Sequence, residues 1–234
     1  MLDSTPIVFV VDDDSSVRKA LEWLIDSAGW RSATFASARE FLAREPTSAP
    51  SCLVLDVSLP DLNGLELQRM LATDRLEMPI IFITGYGDVA TTVRAMKAGA
   101  LEFLTKPFDD DALLGAIADA LERSRMVLRR EAQMRTLRDR HSSLSPRERE
   151  VLSLVCSGLL NKQVAGELGI SEITVKAHRG KVMRKMKARS LADLITIAAR
   201  LGVTGAGADV GPNQHAIRTP TMPVTANRAM TASP

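Results

Sequence analysis

Segments of strand length and helical periodicities take turns along the first half of the chain. Residues 7–11, 52–55, 79–83 and 101–104 are apolar runs, and residues 30–35 read as a further strand. After the first run, Asp14 or Ser15 opens a helix in which Val17, Ala20, Leu21, Leu24 and Ala28 recur at helical spacing, and Gly29 ends it. Ser37 and Glu40 stand at capping-box spacing ahead of Phe41 and Leu42. Residues 64–71 supply a third helix, Asp88 caps a fourth that runs through Met96, and Asp109 caps a fifth with Leu113, Ile117 and Leu121 inward. Five alternating units predict an α/β domain with a parallel sheet covered by helices on both faces.

The strand pattern then stops. Residues 122–143 are dense in arginine (Arg123, Arg125, Arg129, Arg130, Arg135, Arg138 and Arg140), and Val127, Met134 and Leu137 form only a thin apolar stripe. That is too short a heptad for a dimerising coiled coil, so the stretch reads as a solvated helical linker. Beyond it, Ser145, Pro146 and Glu148 combine an N-cap, a first-turn proline and a capping-box partner. Val151, Leu152, Leu154 and Val155 give that helix an apolar face until Gly158. A second helix runs over residues 161–168, Gly169 makes a turn, Ser171 caps a third helix to about residue 187, and residues 191–201 give a fourth. Two short helices around a glycine turn, the latter carrying Lys176, Arg179, Lys181, Arg184, Lys185 and Lys187, read as a helix-turn-helix with a basic recognition helix. From Thr204 onward small, polar and Pro/Gly-punctuated sequence predicts disorder.

Composition sharpens this division. A chain of 234 residues accommodates one or two domains, and its net charge of +2 hides an asymmetry. Residues 1–125 hold 20 acidic and 12 basic residues, net −8, whereas residues 126–234 hold 8 and 18, net +10. The basic half is therefore the one expected to meet nucleic acid. No apolar run has membrane-spanning length, so no membrane association and a cytoplasmic location are expected. Cys52 and Cys156 lack metal-like spacing and read as buried, reduced thiols.

The candidate chemistry lies where the strands end. Residues 7–11 run into Asp12 and Asp13, residues 52–55 into Asp56, residues 79–83 into Thr84, and residues 101–104 approach Lys106 and Pro107. In a parallel sheet these ends share the carboxyl edge, where open α/β folds build their sites. Three clustered carboxylates need a compensating cation, and an all-oxygen set suits Mg²⁺. One acid is then free to act as a nucleophile towards a phosphoryl group, with Lys106 neutralising charge and Thr84 donating a hydrogen bond. The bland alternative has Asp12, Asp13 and Asp14 capping a helix, a role that suits Asp14. An enzymatic alternative, a Mg²⁺-dependent phosphohydrolase, shares the site but lacks a candidate acid catalyst, so no enzyme activity is expected. A third alternative has the first half serving only as a phosphorylation-independent dimerisation module. His141, His178 and His215 all lie beyond the acidic half, so a phosphoryl donor would be another protein.

At Asp12-Asp13, Asp56, Thr84 and Lys106-Pro107 the chain resembles the receiver domain of bacterial two-component response regulators, over roughly residues 5–122. The resemblance implies a flavodoxin-like (βα)5 fold, doubly wound, with strand order 2-1-3-4-5. It implies Asp56 as phosphoacceptor, Mg²⁺ held by Asp12, Asp13, Asp56 and the Ser58 carbonyl, Thr84 and Lys106 as phosphoryl-sensing residues, and Phe103 as the switch aromatic. It also implies a cis Lys106-Pro107 bond and a sensor histidine kinase as donor. LSPREREVL, GLLNKQVAGELGIS, TVKAH and KVMRKM, within residues 144–202, resemble the LuxR-type DNA-binding domain of the FixJ/NarL family, a four-helix, all-α unit. The resemblances imply phosphorylation-linked homodimerisation, binding to promoter DNA and contact with RNA polymerase, with transcriptional activation as the expected output. The expected division is receiver 1–122, helical linker 123–141, DNA-binding domain 142–203 and tail 204–234. On the third helix of the basic half, Val175, Val182 and Met186 should pack inward, leaving Ile173, Lys176, Ala177 and Gly180 for the major groove. Lys176 is the candidate guanine reader and Ala177 could touch a thymine methyl, while Lys162, Ser171, Thr174, Arg179 and Lys181 suit phosphates. Gly180 departs from the larger polar residue usual in that family.

Overall fold

Along β1 (Ile7–Val11), side chains alternate between two cores: Val8 and Val10 enter one, Phe9 and Val11 the other. β3 (Ser51–Asp56) and β4 (Ile80–Thr84) do the same, with Cys52, Val54, Ile81 and Ile83 on the first face and Leu53, Leu55, Ile80 and Phe82 on the second. Burial on both faces is why these runs are continuously apolar, as in a parallel sheet covered on both sides. With β2 (Arg31–Phe35) and β5 (Glu102–Thr105) they form one parallel sheet in the order β2-β1-β3-β4-β5, as expected. The computed structural model describes residues 5–73, 78–85 and 87–203. The tail expected to be disordered, with His215, lies outside the described residues.

The helices of this unit are α1 (Ser15–Ser27), α2 (Ala38–Leu42), α3 (Gly64–Thr73), α4 (Val89–Lys97) and α5 (Asp110–Ser142). Asp14 caps α1, accepting from Ser16 N–H at 2.8 Å, and Asp88 caps α4, accepting from Thr91 N–H at 2.6 Å. At α2 the Ser37 hydroxyl accepts from Glu40 N–H, but Glu40 reaches back to Ala36 N–H at 2.7 Å instead of closing the box on Ser37. Leu113, Ile117 and Leu121 are buried along α5, as its periodicity predicts. No breaker interrupts the arginine-rich stretch, and α5 continues through it. Ser124, within the stretch read as linker, is buried, and its hydroxyl accepts from Ser51 N–H at 3.0 Å.

The chain divides into two compact units, Met1–Arg140 and His141–Pro234. The second unit contains α6 (Pro146–Cys156), α7 (Asn161–Leu168), α8 (Glu172–Met186) and α9 (Leu191–Arg200). Val151 and Val155 of α6, Val164 of α7 and Val175 of α8 form its buried centre. Gly169, in the left-handed conformation at φ 63°, turns α7 into α8. Ser145 and Glu148 cap α6 reciprocally: Ser145 N–H donates to Glu148 Oε2 at 2.8 Å, and Glu148 N–H donates to Ser145 Oγ at 3.2 Å.

Candidate functional site

The carboxyl edge of the sheet gathers the acids. Asp12, following β1, Asp13 beside it, and Asp56, the last residue of β3, each bring a carboxylate oxygen within 4.8 Å of one another. Asp12 and Asp56 are buried and Asp13 is exposed, so the group has a closed side and a side open to solvent. Lys106 crosses to them from the end of β5, its Nζ 2.6 Å from Asp12 Oδ2 and 3.3 Å from Asp56 Oδ2. Its backbone N–H donates to the Thr84 carbonyl at 2.7 Å, which extends the β4–β5 ladder and fixes where the side chain starts. Thr84 is itself fully buried at the end of β4. The Lys106-Pro107 bond is cis.

Second contacts hold the acids still. Asp12 Oδ1 accepts from Asp14 N–H at 2.9 Å, its carbonyl accepts from Arg18 Nη1 at 2.7 Å, and Asp56 Oδ1 accepts from Ser58 N–H at 3.2 Å. Arg18 is a supporting residue that periodicity did not reveal, because it appears there only as a polar position of α1. Gly64 lets α3 begin against the site: a Cβ there would lie 2.5 Å from the Asp56 carbonyl oxygen and 3.1 Å from Val57 Cα. Phe103 packs on Phe82 with ring centroids 6.0 Å apart.

Electrostatics set the site's demand. Burial pushes the Asp56 carboxyl up, the neighbouring Asp12 charge adds to this, and the Ser58 N–H and Lys106 only partly offset it. Burial also opposes charge on Lys106, but its hydrogen bond to Asp12 and the charges of Asp12 and Asp56 outweigh that, raising its pKa. One ammonium contacts two of the three carboxylates. Hard oxygen donors with an excess of negative charge and an open side fit a divalent cation such as Mg²⁺.

In the second unit, α8 sorts its residues by face. Val175, Val182 and Met186 are buried, as expected, while Ile173, Lys176 and Ala177 are exposed and Gly180 is half-buried. Lys176 lies 3.4 Å from Glu172, Arg179 donates to Asn161 Oδ1 at 3.2 Å, and Lys162 and Lys181 are exposed. The Ser171 hydroxyl caps α8, accepting from Thr174 N–H at 3.2 Å, and lies 2.8 Å from the Thr174 hydroxyl. Lys185 points elsewhere: its Nζ is 2.6 Å from the buried Glu148 carboxylate and 2.9 Å from the Ser143 carbonyl, making it a tie within the unit. Sequence spacing did not reveal that role, since the partners are 37 residues apart.

Comparison with known proteins agrees with both halves. Residues 8–118 match the response regulator receiver domain, and residues 142–198 match the luxR family of bacterial regulatory proteins. Nodulation protein W of Bradyrhizobium diazoefficiens is 54% identical over 200 residues, covering 85% of this chain and 87% of its own length. Transcriptional regulatory protein FixJ of the same organism is 41% identical over 196 residues, covering 84% and 96%. The structure of response regulator StyR superposes with a TM-score of 0.78 at 47% identity, covering 84% of this chain and all of that one.

Proposed function

The chain belongs to the FixJ/NarL-type response regulators, transcription regulators of two-component systems that join a receiver to a LuxR-type DNA-binding domain, and from that premise we propose that phosphorylation of Asp56 switches its action on promoter DNA. The observation that carries the proposal is the meeting of Asp12, Asp13 and Asp56 within 4.8 Å, with Lys106 bridging Asp12 and Asp56.

Asp12, Asp13, Asp56 and the Ser58 carbonyl would hold Mg²⁺. Bound there, the ion neutralises charge on the phosphoryl oxygens. The chain's own residues do the rest. An Asp56 carboxylate oxygen attacks the phosphorus of a phosphohistidine on a sensor histidine kinase, and the P–N bond breaks as the P–O bond forms. Lys106 pairs with the new phosphoryl group, Thr84 donates its hydroxyl, and Phe103 responds on β5. Such a shift biases a two-state element. Val89, Val93 and Met96, exposed apolar residues of α4, support a homodimerisation surface there. The site works as a switch without turning over a substrate.

In the DNA-binding domain, α8 enters the major groove. Lys176 and Ala177 read bases beside Gly180, and Lys162, Ser171, Thr174, Arg179 and Lys181 face phosphates. Residues 1–122 act as receiver, 123–141 as linker and 142–203 as DNA reader, with activation through RNA polymerase as the output. A cytoplasmic location fits; no helix among the described residues is long and apolar enough to cross a membrane.

The test is sequencing of genomic fragments retained by the purified protein, with and without Mg²⁺ and beryllofluoride as phosphoryl mimic. Paired half-sites enriched only with the mimic are expected. The same fragments in both samples would overturn the switch, and no enrichment in either would overturn sequence-specific binding.

A further inference from the structure

Gly180 stands in the middle of α8 on the side that carries Ile173, Lys176 and Ala177. Glycine there costs a helix about 1 kcal/mol relative to alanine. Local sterics do not require it. Apart from its two chain neighbours and the nearby helix backbone, the one described atom within 4 Å of a Cβ built at Gly180 is Arg184 Nη1, at 3.9 Å, an ordinary van der Waals separation. Alanine would fit.

The same distance locates the Arg184 side chain. Arg184 follows Gly180 by four residues, and helical side chains lean back towards the N-terminus over the preceding turn. Its guanidinium therefore lies over Gly180, one turn back from its own Cα. Arg184 is exposed and makes no side-chain hydrogen bond or ion pair among the described residues. Three other cations of α8 are engaged: Lys176 with Glu172, Arg179 with Asn161 and Lys185 with Glu148.

We propose that Arg184, laid across the space Gly180 leaves open, is a base-reading residue of α8 and recognises a guanine in the major groove. The inference rests on the reading of α8 as the recognition helix. A guanidinium offers a rigid planar fork of donors that matches guanine O6 and N7, whereas a lysine ammonium offers a point charge on a flexible stem, so Arg184→Lys specifies the base more weakly. The missing side chain at residue 180 thus gives its position on the DNA-facing surface to a neighbour one turn later.

The competing account is that the helix backbone approaches DNA closely at Gly180, and substitution separates the two. Randomised duplexes are selected with the full-length protein, Mg²⁺ and beryllofluoride, using wild type, Arg184→Lys, Arg184→Ala and Gly180→Ala. The expected result is a wild-type motif in which one G·C pair loses preference about 10-fold or more in both Arg184 variants, with the other positions unchanged. Gly180→Ala should keep that pair. Thermal melting of both Arg184 variants should match wild type, because the side chain holds nothing in the fold. An unaltered motif in the Arg184 variants overturns the proposal, as does an equal loss of affinity on every sequence with a salt slope smaller by about 1, the behaviour of a phosphate contact. Loss of binding in Gly180→Ala with no change in the Arg184 variants favours close backbone approach and also overturns it. If wild type selects no motif, the recognition-helix reading falls as well.

Discussion

Lys106 Nζ lies closer to Asp12, at 2.6 Å, than to Asp56, at 3.3 Å. The shorter pair joins the ammonium to the more deeply buried acid, and Asp56 keeps an incompletely balanced charge. That imbalance should be visible as a burden on stability.

Asp56→Asn is therefore expected to melt higher than wild type at pH 7 in metal-free buffer, by roughly 2–4 °C. The folded-state pKa of Asp56 is raised, so the native state holds its proton more tightly than the unfolded chain does. Stability falls as pH climbs from the unfolded value of 3.8 through the raised folded value. The two proteins should converge below about pH 4, which paired melts at pH 3.5 and 7 will check.

Mg²⁺ should raise the melting temperature of wild type, gaining about 1.4 kcal/mol for each tenfold increase in concentration once above the dissociation constant. Asp13→Ala removes an exposed carboxylate and should leave the metal-free melt unchanged while weakening this response by tenfold or more in apparent affinity. A thermal-shift titration of both proteins decides the point.

Gly64→Ala should destabilise the receiver by about 1–3 kcal/mol, because the new Cβ meets backbone at Asp56 and Val57 and something must move. The movement falls on the carbonyl of Asp56 itself, so Mg²⁺ affinity should drop together with stability. Denaturant melts and a Mg²⁺ titration on the same sample test the coupling.

In the DNA-binding domain, Glu148→Ala should cost about 2 kcal/mol, since one carboxylate both closes the cap of α6 and binds Lys185. Its hydrogen bond from Lys185, then that from Ser145 N–H, hold the carboxyl below its usual range. A lowered pKa gives stability that is present above the unfolded value of 4.5 and lost as pH falls through the folded one. Unfolding of Glu148→Gln and wild type should differ at pH 6 and agree near pH 3.

Much of this was readable in the residues, and the limits have physical causes. The strands declared themselves because a sheet buried on both faces needs continuous apolar runs, and Asp12, Asp56, Thr84 and Lys106 marked where those runs end. The strand order came from family resemblance, since nothing in one strand's pattern names its neighbour. Ser37 and Glu40 predicted the right helix start but not the right acceptor geometry, because glutamate is long enough to choose between Ala36 and Ser37. Glu148 was legible as a cap, a local relationship, and invisible as a buried partner of Lys185, a tertiary one. Gly180 was legible as an anomaly; what fills its place depends on a rotamer of Arg184.

The sheet order also governs when the acidic pocket comes into existence during synthesis. Asp12 follows β1 and Asp56 ends β3, strands paired directly with each other, but their ammonium arrives just after β5, which pairs only with β4 at the sheet's edge. A nascent chain carries Asp12 and Asp56 long before it carries the counter-charge. Until the last strand zips on, the acid cluster lacks the cation that completes it. Assembly of the charge-balanced pocket is thereby tied to completion of the sheet.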